Sequence, residues 1–313
     1  MRKVLRYVVL VCVAFAVLAL PAFADPPSPD NPAGNGNDIL GVTPSKNASH
    51  SSSGGNLVYH GGSVMHSNRT YAIYWEPSGS TVTPSYNQTI STFLADVAAD
   101  SGKTSNVYYS NSQYTDGGGA AAYASTYGGS VVDTTPFPAN GCSDPYTSIC
   151  LSDAQLRSEI DRVVAQNGWP RGLGAVYFMF TPRGVGSCYA SSSCAFSSYC
   201  AYHSSFGSGS SLTLYANQPY TETVPNACGT GKAPNGDQAA DSTINVVSHE
   251  HSEAITDGLG NAWYDRRGYE NGDKCAWNFG AATGNYNQTI NGHHYYLQQE
   301  WSNARSGCVL TGL

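Results

Sequence analysis

The chain has 313 residues, a formal net charge of −7, only 12% charged residues, and 22 tyrosines. An acid excess argues against nucleic acid or an anionic membrane surface as the partner. The length suits a single large core once the terminal segments are set aside.

Arg2, Lys3 and Arg6 precede an apolar run from Tyr7 to Leu20, followed by Pro21-Ala-Phe-Ala24, the small-x-small form a signal peptidase reads. Cleavage is predicted after Ala24, giving an exported, extracellular protein with no membrane anchor. That cut removes three of the 15 Lys and Arg and none of the 22 Asp and Glu, taking the net charge to −10. Cys12 leaves with the signal, and eight cysteines remain: Cys142, Cys150, Cys188, Cys194, Cys200, Cys228, Cys275 and Cys308. In an oxidising compartment this number suggests up to four disulfides, with at least two of Cys188, Cys194 and Cys200 bridged. Residues 25–55 are mostly Pro, Gly, Asn and Ser and read as a flexible linker or pro-segment.

From residue 56 onward the apolar pattern alternates. Tyr71–Trp75 reads as a buried strand, and Ile90, Phe93, Leu94 and Val97 share one helix face. Asn106–Tyr109 reads as a second strand. Ser152-Asp-Ala-Gln155 is a capping box opening a helix whose inner face is Leu156, Ile160, Val163 and Val164, ended by Gly168 and Pro170. Ala175–Phe180 is the most apolar strand and is placed centrally, and Ser211–Tyr215 forms another. A last helix is predicted from about Ser242. This order gives an α+β domain with helices packed on a mostly buried sheet.

The last helix carries Ser248-His-Glu-His-Ser-Glu253 between apolar residues, so its polar groups need partners inside the fold. Residues four apart share a helix face, so His249 and Glu253 can hold one ion, while His251 points away from them. Ser248 diverges from His249 in the same way and is no nucleophile candidate. Glu250 follows the first ligand directly, the place of the general base in H-E-x-x-H zinc hydrolases. Here the pattern is H-E-x-x-E, and a carboxylate oxygen is an acceptable zinc ligand. A second anion on the metal lowers its Lewis acidity.

A third ligand must come from elsewhere. The stretch Trp263–Asp273 follows a turn at Gly258 and Gly260 and can fold back over the helix, making Glu270 the leading candidate. Asp273 is placed as an acceptor for the ring N–H of His249. His203, His293 and His294 are further candidate ligands.

Several segments resemble the EXORDIUM, or phosphate-induced, proteins of plant cell walls and their bacterial relatives. They are Leu57-Val-Tyr-His-Gly-Gly62 before the strand ending at Trp75, Ala233-Pro-Asn-Gly-Asp237, Ala262-Trp-Tyr264, the Glu270–Cys275 segment, Asn291-Gly, Tyr296-Leu and Cys308. The resemblance spans roughly residue 56 to the end and implies an extracellular, growth-associated protein without an established reaction. Bacterial members with S-H-E-x-x-E look similar to zincin metallopeptidases, in which an edge strand precedes the metal helix. Ser211–Tyr215 is expected to be that strand.

The expectation is therefore a disulfide-stapled, zincin-like α+β domain over residues 56–313. It would act as a secreted zinc-dependent hydrolase on protein or peptide, with His249, Glu253 and Glu270 on Zn2+ and Glu250 as base. The rival is a non-enzymatic wall or carbohydrate-binding protein in which the same carboxylates hold a structural ion or none.

Overall fold

In the computed structural model, which describes residues 39–48, 55–281 and 284–313, β1 (Ile39–Pro44), β2 (Asn68–Trp75), β3 (Ser125–Asp133), β4 (Ala175–Phe180), β5 (Tyr199–Phe206) and β6 (Thr213–Gln218) form one sheet. The signal sequence lies outside the described residues. The sheet order is β1-β5-β6-β4-β2-β3. β6, β4, β2 and β3 are mutually parallel, and β5 runs antiparallel to both β6 and β1.

Helices cover both faces. On one side α1 (Tyr86–Ala99) and α3 (Gln238–Asp257) pack Ile90, Phe93, Ile244 and Val247 against Ala72, Tyr74, Phe178 and Leu214. On the other side α2 (Asp153–Gln166) packs Leu156, Ile160, Val163 and Val164 against Tyr71, Ile73, Tyr177, Met179 and Tyr215. Both faces of β4 are buried, which explains why it reads as an unbroken apolar run, whereas the outer parallel strand β3 has exposed residues along it.

Local chemistry sets the ends of the helices. Ser152 caps α2 through the expected box, its backbone N–H donating to Gln155 Oε1 at 2.9 Å while its hydroxyl accepts from the Gln155 N–H. α3 begins at Gln238, earlier than Ser242, because the Asp237 side chain accepts from the N–H groups of Ala239 and Ala240, both at 3.1 Å. Residues 107–113 form a 3₁₀ helix, not the strand expected at Asn106–Tyr109. The Asn106 side chain caps it by accepting from the Tyr108 N–H, a competition with strand pairing that short polar side chains often win.

Two corrections concern the sheet near α3. Residues 39–44, within the segment read as a linker, form β1, because Ile39, Gly41, Val42, Thr43 and Pro44 lie opposite residues of β5 and Ile39, Val42 and Thr43 are buried, which composition alone does not reveal. The strand expected at the sheet edge, β6, is internal, with β5 on one side and β4 on the other. Among the described residues no helix is long and apolar enough to cross a membrane.

Four disulfides join Cys142 to Cys150, Cys188 to Cys194, Cys200 to Cys228, and Cys275 to Cys308. All three cysteines of the 188–200 region are thus bridged. Cys200–Cys228 fastens β5 to the segment leading into α3, and Cys275–Cys308 ties the loop after α3 to the C-terminal hairpin.

Candidate metal centre

α3 is buried along nearly its whole length, so every polar side chain on it must find a partner or a ligand inside the protein. His249, Glu253 and Asp257 follow one another at four-residue intervals and form one stripe. Opposite the stripe lies the chain after α3. Its return is anchored by Asp257, whose Oδ1 accepts from the N–H groups of Asn261 and Ala262, both at 2.6 Å. Asp265 then shapes the next turn by accepting from the N–H groups of Arg267 and Tyr269, and its Oδ2 pairs with buried Lys274 at 2.9 Å. The segment 270–273 is thereby laid across the stripe, as the glycines at 258 and 260 suggested. Gly272 is required there, since a Cβ would come within 2.9 Å of both Glu253 Oε1 and His249 Cγ.

Two ligand groups result, sharing Glu253. His249, Glu253 and Asp273 form the first, and His203, Glu250 and Glu253 the second, with the ligand atoms of each group within 4.8 Å of one another. In the first, His249 Nε2 lies 2.9 Å from Glu253 Oε1 and 3.6 Å from Asp273 Oδ1. That nitrogen nevertheless has no hydrogen-bond partner, so the approach does not follow its N–H direction. The other ring nitrogen, Nδ1, faces Gln298 Nε2 at 2.9 Å. Asp273 therefore sits at the nitrogen that Glu253 also faces, whereas at Nδ1, where an acceptor was expected, the Gln298 Nε2 group donates instead.

In the second group, His203 on β5 places Nδ1 3.0 Å from Glu250 Oε2 and 3.5 Å from Glu253 Oε2. Glu270 joins on this side, with Oε2 3.7 Å from His203 Nε2. Glu253 Oε2, His203 Nε2 and both Glu270 oxygens are buried without hydrogen-bond partners. Glu300, on the C-terminal hairpin, adds a further buried carboxylate with neither oxygen paired. His293 instead pairs with Asp96 and His294 stacks on Tyr286, so neither belongs to these groups.

The charge balance is unusual. Six buried carboxylates, those of Glu250, Glu253, Asp257, Glu270, Asp273 and Glu300, surround two buried imidazoles. Burial raises Glu270 well above the usual carboxylate range, reinforced by the charges of Glu253, Asp257 and Asp273. Burial likewise lifts Asp273 to about 7, with Glu253 adding to the effect, and raises Glu300. Burial alone would lower His203, but Glu250 and Glu253 outweigh it and hold that ring at about 9. Glu253 goes the other way: burial raises it, yet His249 and His203 bring it down to about 2. The raised carboxyls of Asp257, Glu270, Asp273 and Glu300 show that not all of these acids can be charged together, and either bound protons or a bound cation relieves that crowding.

Glu250 is fully buried. Its Oε1 accepts from the Thr43 N–H at 2.7 Å and from the Thr43 hydroxyl at 2.6 Å. β1 thus reaches the centre of the site, and Gly41 faces Glu270, His203 and Glu253, where a Cβ would fall within 2.3 Å of all three. The sequence reading missed Gly41, Thr43, Asp257, Gln298 and Glu300. Only Asp257 carried a local signal, as the third member of the i, i+4, i+8 stripe. No protein-family profile, curated protein or solved structure matches this chain.

Proposed function

We propose that this chain is a secreted zinc-dependent hydrolase of zincin-like architecture, a metallopeptidase whose zinc is held by His249, Glu253 and Asp273. The observation that carries the reading is His249 Nε2, a fully buried nitrogen without a hydrogen-bond partner that faces Glu253 Oε1 at 2.9 Å and Asp273 Oδ1 at 3.6 Å; Glu253 Oε1 also accepts from the Asp273 N–H at 2.9 Å. Ligand atoms on a tetrahedral zinc with bonds of about 2.0–2.2 Å lie about 3.3–3.6 Å apart, so the spacing fits with small adjustments. A nitrogen among the donors favours zinc over calcium, which takes oxygen ligands.

When bound, zinc would polarise a scissile carbonyl and acidify a water. The remaining work falls to the chain's own groups. Glu250 lies next to the first ligand in the sequence and, through Oε1, can take a proton from a nucleophilic water once the donors of Thr43 have moved off it. His203, held on β5 against Glu250 Oε2, orients that carboxylate. Glu270 is reassigned from ligand to the His203 side of Glu253, where it can receive or release a proton. The antiparallel strand β5, lying beyond β6 and next to α3, is the counterpart of the edge strand that a zincin-like layout calls for.

One observation favours the rival reading, an EXORDIUM-like wall or carbohydrate-binding protein with a structural ion: the site is completely covered. Metal analysis combined with two variants separates them. Glu250→Gln should keep zinc and lower hydrolysis of a casein-type substrate by about two to four orders of magnitude, the span of a positioned acid/base group. His249→Ala should lose both. A zinc-loaded protein that hydrolyses nothing, with β1 displaced, would leave the rival standing.

A further inference from the structure

We infer that β5 is a peptide-docking strand and that residues 39–44 are an internal ligand bound to it, a built-in occupant of the site that must leave before a peptide substrate enters. The inference rests on the hydrolase reading for what the docked peptide is for, but not for the docking itself.

β1 has the pairing that an added peptide strand would have. Among the described residues β1 is the outermost strand of the sheet and pairs on one side only, antiparallel to β5, from Ile39 opposite Ser204 to Pro44 opposite Tyr199. Its pairing shifts register between Ile39 and Gly41 and again at Pro44, and Pro44 has no N–H to offer. Strand addition of this kind draws affinity from main-chain hydrogen bonds and specificity from alternate side chains. Here the alternation divides the two tasks. Val42 is buried in the cluster on the α2 side of the sheet, while Gly41 and Thr43 meet the metal centre.

Those two positions define what the strand accepts. At Gly41 the distances to Glu270 Oε2 and Glu253 Oε2 leave no room for any side chain, so the residue over the centre must be glycine. At Thr43 a main-chain N–H and a hydroxyl both go to Glu250 Oε1, the atom needed as proton acceptor. A peptide held in this way occupies the centre and silences it. The segment continues into a further set of anchors: Trp277 Nε1 donates to the Pro44 carbonyl at 2.8 Å, and the N–H groups of Ser45 and Lys46 donate to Ser198 and Ala227. The ligand class is therefore an extended peptide with glycine over the centre, a β-hydroxyl residue two positions later, and a proline after that.

The test uses the full chain. A recognition site for a specific protease replaces Ser51–Ser53, and the folded, zinc-loaded protein is nicked there. A fluorescent peptide with the sequence of residues 37–46 is then added, beside the same peptide carrying Gly41→Val. Binding of the first peptide and at least tenfold weaker binding of the second are expected, together with at least a tenfold rise in casein-peptide hydrolysis on nicking that the first peptide reverses. Binding without any hydrolysis would keep the docking inference and remove the hydrolase reading. Equal hydrolysis by intact and nicked chains with no peptide binding would overturn the docking inference and keep the hydrolase. In the un-nicked chain, Gly41→Val should speed amide exchange in residues 39–44 and at the β5 edge while α1, α2 and β4 stay protected. Loss of protection throughout, or unfolding on nicking, would show that β1 belongs to the core and would overturn the inference.

Discussion

Two histidines on α3, two residues apart and equally buried, live in opposite surroundings. His251 faces neutral partners: Nε2 lies 2.9 Å from Asn68 Oδ1, Nδ1 lies 3.3 Å from the Tyr108 hydroxyl, and the rings of Tyr108 and Phe178 stand edge-on to it. Burial drives its pKa down to about 3, so it is a neutral imidazole packed as part of the core. His249 faces Glu253 and Asp273, and although burial pulls the same way, those carboxylates outweigh it and raise the ring well above the ordinary value. The same residue type at the same depth is thus an apolar wedge on one side and a charge-seeking donor on the other. What differs is whether the partners are satisfied without an ion.

The largest expected effect of breaking this contrast comes from the zinc proposed for the His249 side. A ligand that binds only the folded state at 1,000 times its Kd adds about 4 kcal/mol, and in a domain of this size each kcal/mol moves Tm by about 2–4 °C. Stripping zinc with a chelator should therefore lower Tm by roughly 8–16 °C, and adding zinc back should restore it, as followed by calorimetry. A Tm indifferent to chelation would mean that protons, not a cation, neutralise the acids beside His249.

Next come the two histidines compared directly. His251→Ala opens a cavity and strands Asn68 Oδ1, for a cost of about 2–4 kcal/mol in denaturant unfolding, with zinc stoichiometry unchanged. His249→Ala should abolish zinc binding instead. Equal zinc loss in both variants would merge the two sides of the helix into one site.

The sequence made one side of this comparison visible and hid the other. The His249–Glu253 pair, the turn of His251 away from it, and the return of residues 263–273 over α3 all follow from helical period and glycine-marked turns, which are local. Strand β4 and the inner face of α2 were legible for the same reason. What remained hidden depends on contacts far apart in the chain. β1 brings Gly41 and Thr43 to residues more than 150 positions away, and its Pro, Gly and Ser-rich neighbourhood reads as a linker because composition reports burial only on average. Asp273 rather than Glu270 lies against His249 because the Glu270 N–H donates to Asp273 Oδ2 in a tight turn, a detail of backbone geometry no spacing rule supplies. Gln298 and Glu300 arrive from a C-terminal hairpin fixed by the Cys275–Cys308 bridge, whose pairing the sequence leaves open.

A smaller effect is expected at Gln298, whose side chain faces His249 Nδ1 and also donates to the Gly272 carbonyl. As placed, Gln298 Nε2 donates to Nδ1 and leaves the ring proton on Nε2, so the side chain must turn its amide oxygen to Nδ1–H when zinc binds; a group that accepts from a ligating imidazole typically carries about 10–100-fold in metal affinity. Gln298→Ala should weaken zinc binding by that factor in competition titrations with a chelating dye. Unaltered affinity would show that the ring is held by Glu253 and Asp273 alone.

The smallest effect is expected across the helix, at Tyr108. Its hydroxyl, 3.3 Å from His251 Nδ1, is a long, neutral contact between two fully buried groups, and burial raises the phenol well above its ordinary pKa, so it carries no charge at any working pH. Tyr108→Phe keeps the ring that stacks on Tyr123 and stands edge-on to His251, and removes only the oxygen. A neutral hydrogen bond contributes about 0.5–1.5 kcal/mol, and the length of this one places the loss near the lower end. His251 keeps Asn68 as its partner at 2.9 Å, so the imidazole is not left bare. Chemical denaturation should register that small loss, while zinc content and affinity stay as in the unaltered chain, because no atom of Tyr108 belongs to either ligand group. A change in zinc affinity of tenfold or more in Tyr108→Phe would mean that the neutral side of α3 transmits strain to the charged side. The helix would then be a single coupled element, and the contrast between its two histidines would no longer be one of independent surroundings.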